Sequence, residues 1–193
     1  MKKIAIFASG NGSNFQAIAE AVEKGKLHAS IELLICDHPG AYCIDRAEKL
    51  NIPVFSFSPK DFPLKEDYEQ QILQELQAKE VEMIILAGYM RLIGSVLLRA
   101  YPNHIINIHP SLLPAFPGKN AVLQAIEAGV EVTGVTVHYV DEGMDTGPII
   151  AQRAVSIHKG ESVEEIHRKI QQVEHNLYPR IIEQVSNEQE EKV

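Results

Sequence analysis

Two side chains with useful chemistry, those of Asn107 and His109, end a short apolar run that Pro110 stops. Because side chains alternate along an extended chain, both lie on the same side of a strand, near its carboxyl end. A carboxamide can donate to an oxyanion, and an imidazole can carry a proton near neutral pH. Neither residue favours the interior of a strand, so a functional role would explain their presence. The simpler alternative is a capped strand end with one histidine whose hydrogen bonds are satisfied. Ligands bind at this edge of an open α/β sheet, so the pair predicts a candidate active site.

A glycine-rich turn near the N-terminus, Ser9-Gly10-Asn11-Gly12-Ser13-Asn14, provides a second candidate site. It follows an apolar run at 3–8, typical of a strand covered on both faces, and precedes helical periodicity at 15–22. Glycines permit a tight turn, and the start of a helix presents unpaired N–H groups to an anion. Ser13 and Asn14 would add side-chain donors or serve as N-caps. A plain β–α turn is the alternative.

The spacing of this turn favours a monophosphate over a pyrophosphate. A dinucleotide-binding fingerprint would have a third glycine where Phe15 stands. It would also have an acidic residue at the end of the next strand to hold a ribose. No convincing one is present, and Asp37 is the nearest candidate. A hydride-transfer enzyme is disfavoured on the same grounds.

Hydrophobic periodicity predicts that strands and helices alternate over the first half of the chain. After the first strand and helix, strands are predicted at 31–36, 52–57, 82–87 and 105–109, and helices at 41–50, 65–79 and 95–100. This order is typical of an α/β fold with a doubly wound, mostly parallel sheet and right-handed crossovers.

The C-terminal part of the chain departs from this alternation. A helix at 121–128 precedes two strands at 133–140 and 149–157. The acidic connection between these strands is short, which predicts an antiparallel edge of the sheet.

A final helix is predicted from the capping box formed by Ser162 and Glu165. We expect it to reach about Pro179 and to resume as far as Val185. The polar tail at 186–193 is expected to fray.

Composition limits the class of protein. With 193 residues, 45% hydrophobic and 23% charged, the chain fits one domain spanning 1–193. Its formal net charge of −8 argues against a nucleic-acid-binding surface, and no apolar run has the length of a membrane span or a secretory signal. Cys36 and Cys43 lack the spacing of a zinc ribbon or a redox pair and are expected to be buried free thiols. The histidines form no metal-binding pair, so we predict a cytoplasmic protein without a metal.

Further polar side chains follow the predicted strands. Arg91 could clamp a carboxylate or face solvent, and Asp145 lies in the acidic loop of the C-terminal part. A carboxylate near His109 would favour the imidazolium and fix the ring for acid–base work. Ser111 lacks the G-x-S-x-G setting of a nucleophile, which favours direct transfer between two bound substrates. His138 is expected to be a satisfied core histidine, although it could line the site.

Two long motifs carry a family resemblance. The sequence 107–114 (NIHPSLLP), together with the pattern of Gly134, Thr136, Tyr139, Met144 and Asp145, resembles the folate-dependent formyltransferases. The turn at 9–14 narrows the resemblance to the branch that acts in de novo purine synthesis. It implies a Rossmann-like enzyme that moves a formyl group from the cosubstrate 10-formyltetrahydrofolate to the amine of N1-(5-phosphoribosyl)glycinamide, releasing tetrahydrofolate.

The resemblance also implies roles for particular residues. His109 would be the general acid toward the tetrahedral intermediate, Asn107 would bind its oxyanion, and Asp145 would stabilise the protonated imidazole. The residues implied for the ribonucleotide are Gly12, Ser13, Asn14, Gln171 and Glu174. Those implied for the folate are Lys65, Met90, Arg91, Leu92, Ile93, Asn107, Asp141, Glu142, Gly143 and Met144. We expect small-molecule partners, with no nucleic acid or membrane, and a monomer or a homodimer.

Two alternatives stay open. One is a formyltransferase or hydrolase that uses the same folate donor with a different acceptor. The other is a non-catalytic nucleotide-binding module, which explains the glycine-rich turn but leaves Asn107, His109 and Asp145 without a shared purpose.

Overall fold

Strands and helices follow one another in the predicted order in the computed structural model, which describes residues 1–190. The strands are β1 (Lys2–Ala8), β2 (Ala29–Cys36), β3 (Val54–Ser56), β4 (Met83–Leu86), β5 (Ile105–His109), β6 (Val132–Tyr139) and β7 (Ile149–Ser156). The helices are α1 (Ser13–Glu23), α2 (Tyr42–Lys49), α3 (Lys65–Ala78), α4 (Ser95–Ala100), α5 (Ala121–Glu127) and α6 (Val163–Glu190), with a 3₁₀ turn at Pro59–Asp61. The predicted elements are therefore confirmed, with boundaries that shift by a few residues.

Across residues 1–190 the strands form one seven-stranded sheet in the order β3-β2-β1-β4-β5-β6-β7. The first five strands in that order are parallel, whereas β6 is antiparallel to both β5 and β7. The predicted mostly parallel sheet with an antiparallel C-terminal edge is confirmed. Strand order reverses between β1 and β4, and ligands bind at such a switch point in doubly wound folds.

The sheet has a hydrophobic core on each face, and β1 contributes to both. Ile4 and Ile6 belong to the core that includes Phe15 of α1, whereas Ala5 and Phe7 belong to the core on the opposite face. All four of these β1 residues are fully buried. Because both faces of this central strand are buried, its sequence is apolar throughout and does not alternate between apolar and polar residues.

The start of α6 is confirmed, but its predicted interruption is wrong. The Ser162 hydroxyl accepts the Glu165 N–H at 3.2 Å, and the Glu165 carboxylate accepts the Ser162 N–H at 2.7 Å. The helix then continues through Pro179 to Glu190, so residues 186–190 are helical and not frayed. Proline removes one backbone hydrogen bond, but its neighbour Tyr178 is fully buried, so packing offsets that loss. Residues 191–193 of the predicted tail lie outside the described residues.

None of the helices within residues 1–190 combines the length and the apolar character needed to cross a membrane.

Candidate active site

The carboxyl ends of β1 and β4 meet at the switch point of the sheet. The Ser9 N–H, directly after β1, donates to the Gly88 carbonyl, directly beyond β4, at 3.1 Å. β5 lies next to β4, with Leu86 opposite Asn107. The glycine-rich turn, the segment 88–92 and the Asn107/His109 pair therefore share one edge of the sheet, as the parallel topology predicts.

The structure brings Asn107, His109 and Asp145 together. β5 pairs with β6 so that Asn107 lies opposite His138 and His109 lies opposite Thr136. The β6–β7 loop then returns Asp145 to the same place, with its Oδ2 atom 3.4 Å from His109 Nδ1. Asp145 has a φ of 56°, in the left-handed region, which a short polar side chain tolerates better than most.

A turn at 116–118 holds His109 and Asp145 from the other side. His109 Nε2 lies 2.9 Å from the carbonyl oxygen of Phe116, and the Gly118 N–H donates to Asp145 Oδ2 at 2.8 Å. Both ring nitrogens of His109 thus face oxygen atoms that only accept. The two contacts fix the orientation of the ring, and His109 is only 6% exposed.

His138 contacts the predicted oxyanion-binding residue. Its Nδ1 atom lies 2.8 Å from the Tyr139 carbonyl and its Nε2 atom lies 3.2 Å from Asn107 Nδ2. Burial lowers the pKa of His138, which favours the neutral ring. A neutral ring protonated at Nδ1 donates to the carbonyl and accepts one N–H of the Asn107 amide. His138 therefore orients the Asn107 carboxamide, leaving the second N–H of its nitrogen for a ligand.

Ser111 has a structural role. Its side chain is fully buried, and its hydroxyl donates to the Ala115 carbonyl at 2.6 Å. The Thr136 hydroxyl donates to the Ser111 carbonyl at 2.7 Å and so ties the turn after β5 to β6.

The glycine-rich turn begins α1 through Gly12. Gly12 is the N-cap residue with a φ of 77°, and an added Cβ would lie 2.6 Å from the Cys43 Cβ, so only glycine fits. Among the described residues no side chain caps α1, so of the two predicted roles of Ser13 and Asn14, side-chain donor or N-cap, the N-cap is wrong. The first-turn N–H groups are instead left without a side-chain acceptor, which suits an anion.

The Asn14 side chain reaches the last helix. Asn14 Nδ2 donates to Glu174 Oε2 at 3.3 Å, while Asn14 Oδ1 is buried without a partner among the described residues. Glu174 is 8% exposed, and burial raises the pKa of its carboxyl to about 7. Gln171, one helical turn earlier on α6, is exposed. The fold thus joins two of the residues implied for the ribonucleotide from opposite ends of the chain.

A cavity of about 460 Å³ lies between the start of α3 and the segment 90–92. Four of the residues implied for the folate line it, namely Lys65, Met90, Arg91 and Leu92. The sequence argument missed the rest of the lining, which is Pro59, Phe62, Pro63, Leu64 and Tyr68. Ile93, also implied for the folate, is 5% exposed and belongs to a core cluster below the cavity.

The loop at 141–147 is held by Asp141, whose Oδ1 accepts the Gly143 N–H at 3.0 Å and the Thr146 hydroxyl at 2.6 Å. Gly147 closes the loop, because an added Cβ would lie 1.8 Å from the Tyr139 carbonyl oxygen. Glu142, Gly143 and Met144 are exposed on this loop, as a surface that receives a ligand requires.

Within residues 1–190, no group of three or more histidine, cysteine or acidic side chains is arranged to hold a metal ion. The two cysteines, Cys36 and Cys43, are fully buried, with their sulfur atoms 3.6 Å apart.

Sequence reasoning missed the contacts of Phe116, Gly118 and His138. The contacts of Phe116 and Gly118 are made by backbone groups, which every residue type has, so the sequence does not indicate them. The Phe-Pro-Gly turn predicts only a loop at this place. The position of His138 on a strand next to β5 was the one available signal, since alternation with Thr136 places the two side chains on one face.

Comparison with known proteins gives a consistent result. Residues 2–182 match the model of a family described as formyl transferase. The chain is 57% identical over 185 residues to the phosphoribosylglycinamide formyltransferase of Bacillus subtilis, covering 96% of this chain and 95% of that protein. The crystal structure of glycinamide ribonucleotide transformylase 1 from Geobacillus kaustophilus superposes with a TM-score of 0.94 at 59% identity, covering 96% of this chain and 98% of that one.

A longer relative matches as well. The trifunctional purine biosynthetic protein adenosine-3 of Drosophila pseudoobscura pseudoobscura is 43% identical over 183 residues, which are 94% of this chain but 13% of that protein. The match to the family model and the high identity over nearly the whole chain lead to one conclusion. The chain belongs to the formyl transferase family.

Proposed function

We propose that the protein transfers a formyl group from 10-formyltetrahydrofolate to the amine of N1-(5-phosphoribosyl)glycinamide. The products are the N-formyl ribonucleotide and tetrahydrofolate, in de novo purine (IMP) synthesis. The observation that carries the proposal is the placement of His109 between Asp145 and the Phe116 carbonyl, beside an Asn107 amide oriented by His138. The names of the relatives support the choice of acceptor.

The proposed reaction is direct transfer, with no covalent enzyme intermediate. The substrate amine attacks the formyl carbon, and negative charge develops on the formyl oxygen, where the second N–H of Asn107 donates. The bond from carbon to folate N10 then breaks as the His109 imidazolium gives its Nε2 proton to that nitrogen, which takes the place of the Phe116 carbonyl as the partner of Nε2. The proton lost by the amine restores the imidazolium, and the Asp145 carboxylate stabilises it throughout.

The ribonucleotide lies along the glycine-rich turn and α6 in this proposal. The N-terminus of α1, with Gly12, Ser13 and Asn14, receives the phosphate. Glu174 and Gln171 contact the remainder of the ribonucleotide.

In this proposal the folate occupies the cavity between the start of α3 and the segment 90–92. Lys65 and Arg91 provide positive charge near the tail, Met90 and Leu92 provide apolar contacts, and Ile93, whose side chain is buried in the core, contributes backbone groups. Asn107 and the loop residues Asp141, Glu142, Gly143 and Met144 enclose the pterin from the other side.

The same proposal covers the organisation of the protein. Residues 1–193 act as one formyltransferase domain, in the cytoplasm, on small-molecule substrates and without a metal. The protein works as a monomer or a homodimer, with no nucleic acid or membrane partner.

An assay of tetrahydrofolate formation tests the proposal. 10-Formyltetrahydrofolate is supplied with and without N1-(5-phosphoribosyl)glycinamide, and Asp145→Asn serves as the impaired variant. We expect release that requires the ribonucleotide and that falls sharply in the variant. Release without the ribonucleotide would point to a hydrolase, and no release in either condition to another acceptor or to a binding module.

A further inference from the structure

Asp37, at the carboxyl end of β2, is a buried carboxylate that the proposed reaction does not use. It is 8% exposed, and both of its oxygen atoms are bound within the protein. Its Oδ1 accepts the Ser9 hydroxyl at 2.5 Å, and its Oδ2 accepts Arg91 Nε at 2.8 Å. Since both oxygens are committed, Asp37 does not have the arrangement that would hold a ribose.

Ser9 connects this carboxylate to the segment that lines the proposed folate cavity. Its hydroxyl donates to Asp37 and accepts the Met90 N–H at 2.9 Å. Its own N–H donates to the Gly88 carbonyl at 3.1 Å. The segment 88–92 belongs to no helix or strand, so these contacts replace the ladder or helix bonds that would otherwise fix it.

Asp37 therefore holds the segment through two arms. One arm runs through Ser9 to the Met90 backbone, and the other is the ion pair with Arg91, whose side chain remains 41% exposed at the cavity. A buried carboxylate with two donors forms charge-assisted hydrogen bonds, which are stronger than neutral ones. These hydrogen bonds and the ion pair connect the carboxyl ends of β2, β1 and β4 at the switch point of the sheet.

We propose that Asp37 and Ser9 are positioning residues for the folate: they fix the segment 88–92 in the conformation that binds the donor. This inference rests on the proposed function, because it takes the cavity at 90–92 as the folate site. In this inference Asp37 and Ser9 contribute to folate binding without touching a substrate. Arg91 has two roles, because it provides positive charge near the folate tail and also anchors its own segment.

The neighbouring ribonucleotide turn has anchors of its own. The Cys43 N–H donates to the Gly10 carbonyl at 3.0 Å, and Arg46 donates to the Asn11 carbonyl at 2.8 Å and to its side-chain oxygen at 2.9 Å. The segment 88–92 also keeps a packing contact, because the Tyr89 ring meets the Phe7 ring edge-on at 5.2 Å. Loss of the Asp37–Ser9 network should therefore loosen the folate segment selectively and leave the fold intact.

Steady-state kinetics of Ser9→Ala and Asp37→Asn tests this inference, with KM measured separately for each substrate. We expect the KM for 10-formyltetrahydrofolate to rise about 3- to 10-fold in Ser9→Ala and about 10-fold in Asp37→Asn. These factors correspond to the free energy of one neutral hydrogen bond and of one charged hydrogen bond, respectively. The kcat and the KM for the ribonucleotide should stay within about twofold of the unmodified protein.

Ser30→Ala is the matched control, since Ser30 also donates its hydroxyl to a carboxylate, that of Glu32, but at the amino end of β2. It should leave both KM values unchanged. An unchanged folate KM in Ser9→Ala and Asp37→Asn would overturn the inference, and so would an equal rise in both KM values, which indicates general damage. If the unmodified protein neither binds tetrahydrofolate nor releases it, the proposed function itself fails, and with it this inference.

Discussion

At the scale of single residues, the chemistry of the site depends on what each polar group faces. His109 faces two oxygen acceptors, Asp145 and the Phe116 carbonyl. His138 faces the Tyr139 carbonyl and the Asn107 amide nitrogen, and its Nε2 atom also lies 3.7 Å from Asp145 Oδ1. Two buried histidines on neighbouring strands are thereby suited to different states. His109 can donate a proton, and the neutral His138 orients Asn107.

Replacement of His109 by alanine removes the proposed general acid. We expect His109→Ala to lower kcat by about 10²- to 10⁴-fold, the usual contribution of a positioned acid or base. Tetrahydrofolate release under saturating substrates measures this. His167→Ala, which removes an exposed histidine of α6, should keep full activity. Near-normal turnover in His109→Ala would disprove the assigned role.

Glu174 makes stability depend on pH. Burial raises the pKa of its carboxyl from 4.5 to about 7, so the folded protein retains a proton that the unfolded chain releases at lower pH. Its contribution to the free energy of unfolding is thus present below the unfolded pKa and is lost as pH rises through the folded pKa. The loss amounts to up to about 3 kcal/mol.

Urea denaturation at several pH values, with and without Glu174→Gln, measures this effect. The unmodified protein should lose stability relative to the variant between about pH 5 and about pH 7, and the difference should level off above that range. Glu164→Gln, at an exposed position of the same helix, should follow the unmodified protein. Parallel profiles for Glu174→Gln and the unmodified protein would contradict the prediction.

At the scale of elements, the site depends on how helices and strands begin and end. α1 begins at a glycine with a positive φ, which leaves its first-turn N–H groups without a side-chain cap. α6 begins with a complete capping box and continues through Pro179, whose neighbour Tyr178 is fully buried. The first-turn N–H groups of α1 are thus available to a ligand, whereas the start of α6 is stabilised by its own capping box.

A pair of glycine variants tests the requirement at the start of α1. Gly12→Ala adds a Cβ at 2.6 Å from the Cys43 Cβ, whereas Gly25→Ala has a similar φ, 65° against 77°, and meets nothing within 4 Å. We expect Gly25→Ala to lower the free energy of unfolding by about 1–2 kcal/mol, and Gly12→Ala by about 1–3 kcal/mol more. Chemical denaturation gives both values.

Ribonucleotide affinity separates the two variants further. Gly12→Ala should raise the KM for N1-(5-phosphoribosyl)glycinamide, whereas Gly25→Ala should not. Equal losses of stability in the two variants would show that the contact with Cys43 imposes no steric constraint.

At the scale of the whole molecule, the last helix closes the fold over the sheet. Tyr178 of α6 is fully buried, and its hydroxyl donates to the Leu86 carbonyl at 2.7 Å, with the Ile106 carbonyl at 3.2 Å. The same helix carries Glu174 to Asn14. The C-terminal helix therefore joins the first helix to the two neighbouring strands β4 and β5.

Removal of the Tyr178 hydroxyl tests this link. Tyr178→Phe should lower the free energy of unfolding by about 1–2 kcal/mol, because one buried hydrogen bond is lost without a change of shape. Tyr42→Phe, at a residue that is 45% exposed, should change stability little. Thermal or urea unfolding measures both, and equal stability of Tyr178→Phe and the unmodified protein would argue against the link.

The sequence by itself determined the α/β class, the order of strands and helices, and the placement of Asn107 and His109 at a strand end. These features follow from local rules: apolar periodicity, glycine-rich turns, and the alternation of side chains along a strand. Local rules failed at Pro179 and at the start of α1, where burial of Tyr178 and contact of Gly12 with Cys43 decide the outcome.

Only the tertiary structure decided which distant polar groups meet. The pairing of β5 with β6 places His138 on Asn107, a left-handed residue turns Asp145 toward His109, and the last helix brings Glu174 to Asn14. Asp37, only the nearest candidate for a ribose ligand in the sequence, is bound to Ser9 and Arg91. Such contacts depend on strand order, register and loop geometry, and these are properties of the assembled sheet that no short stretch of sequence contains.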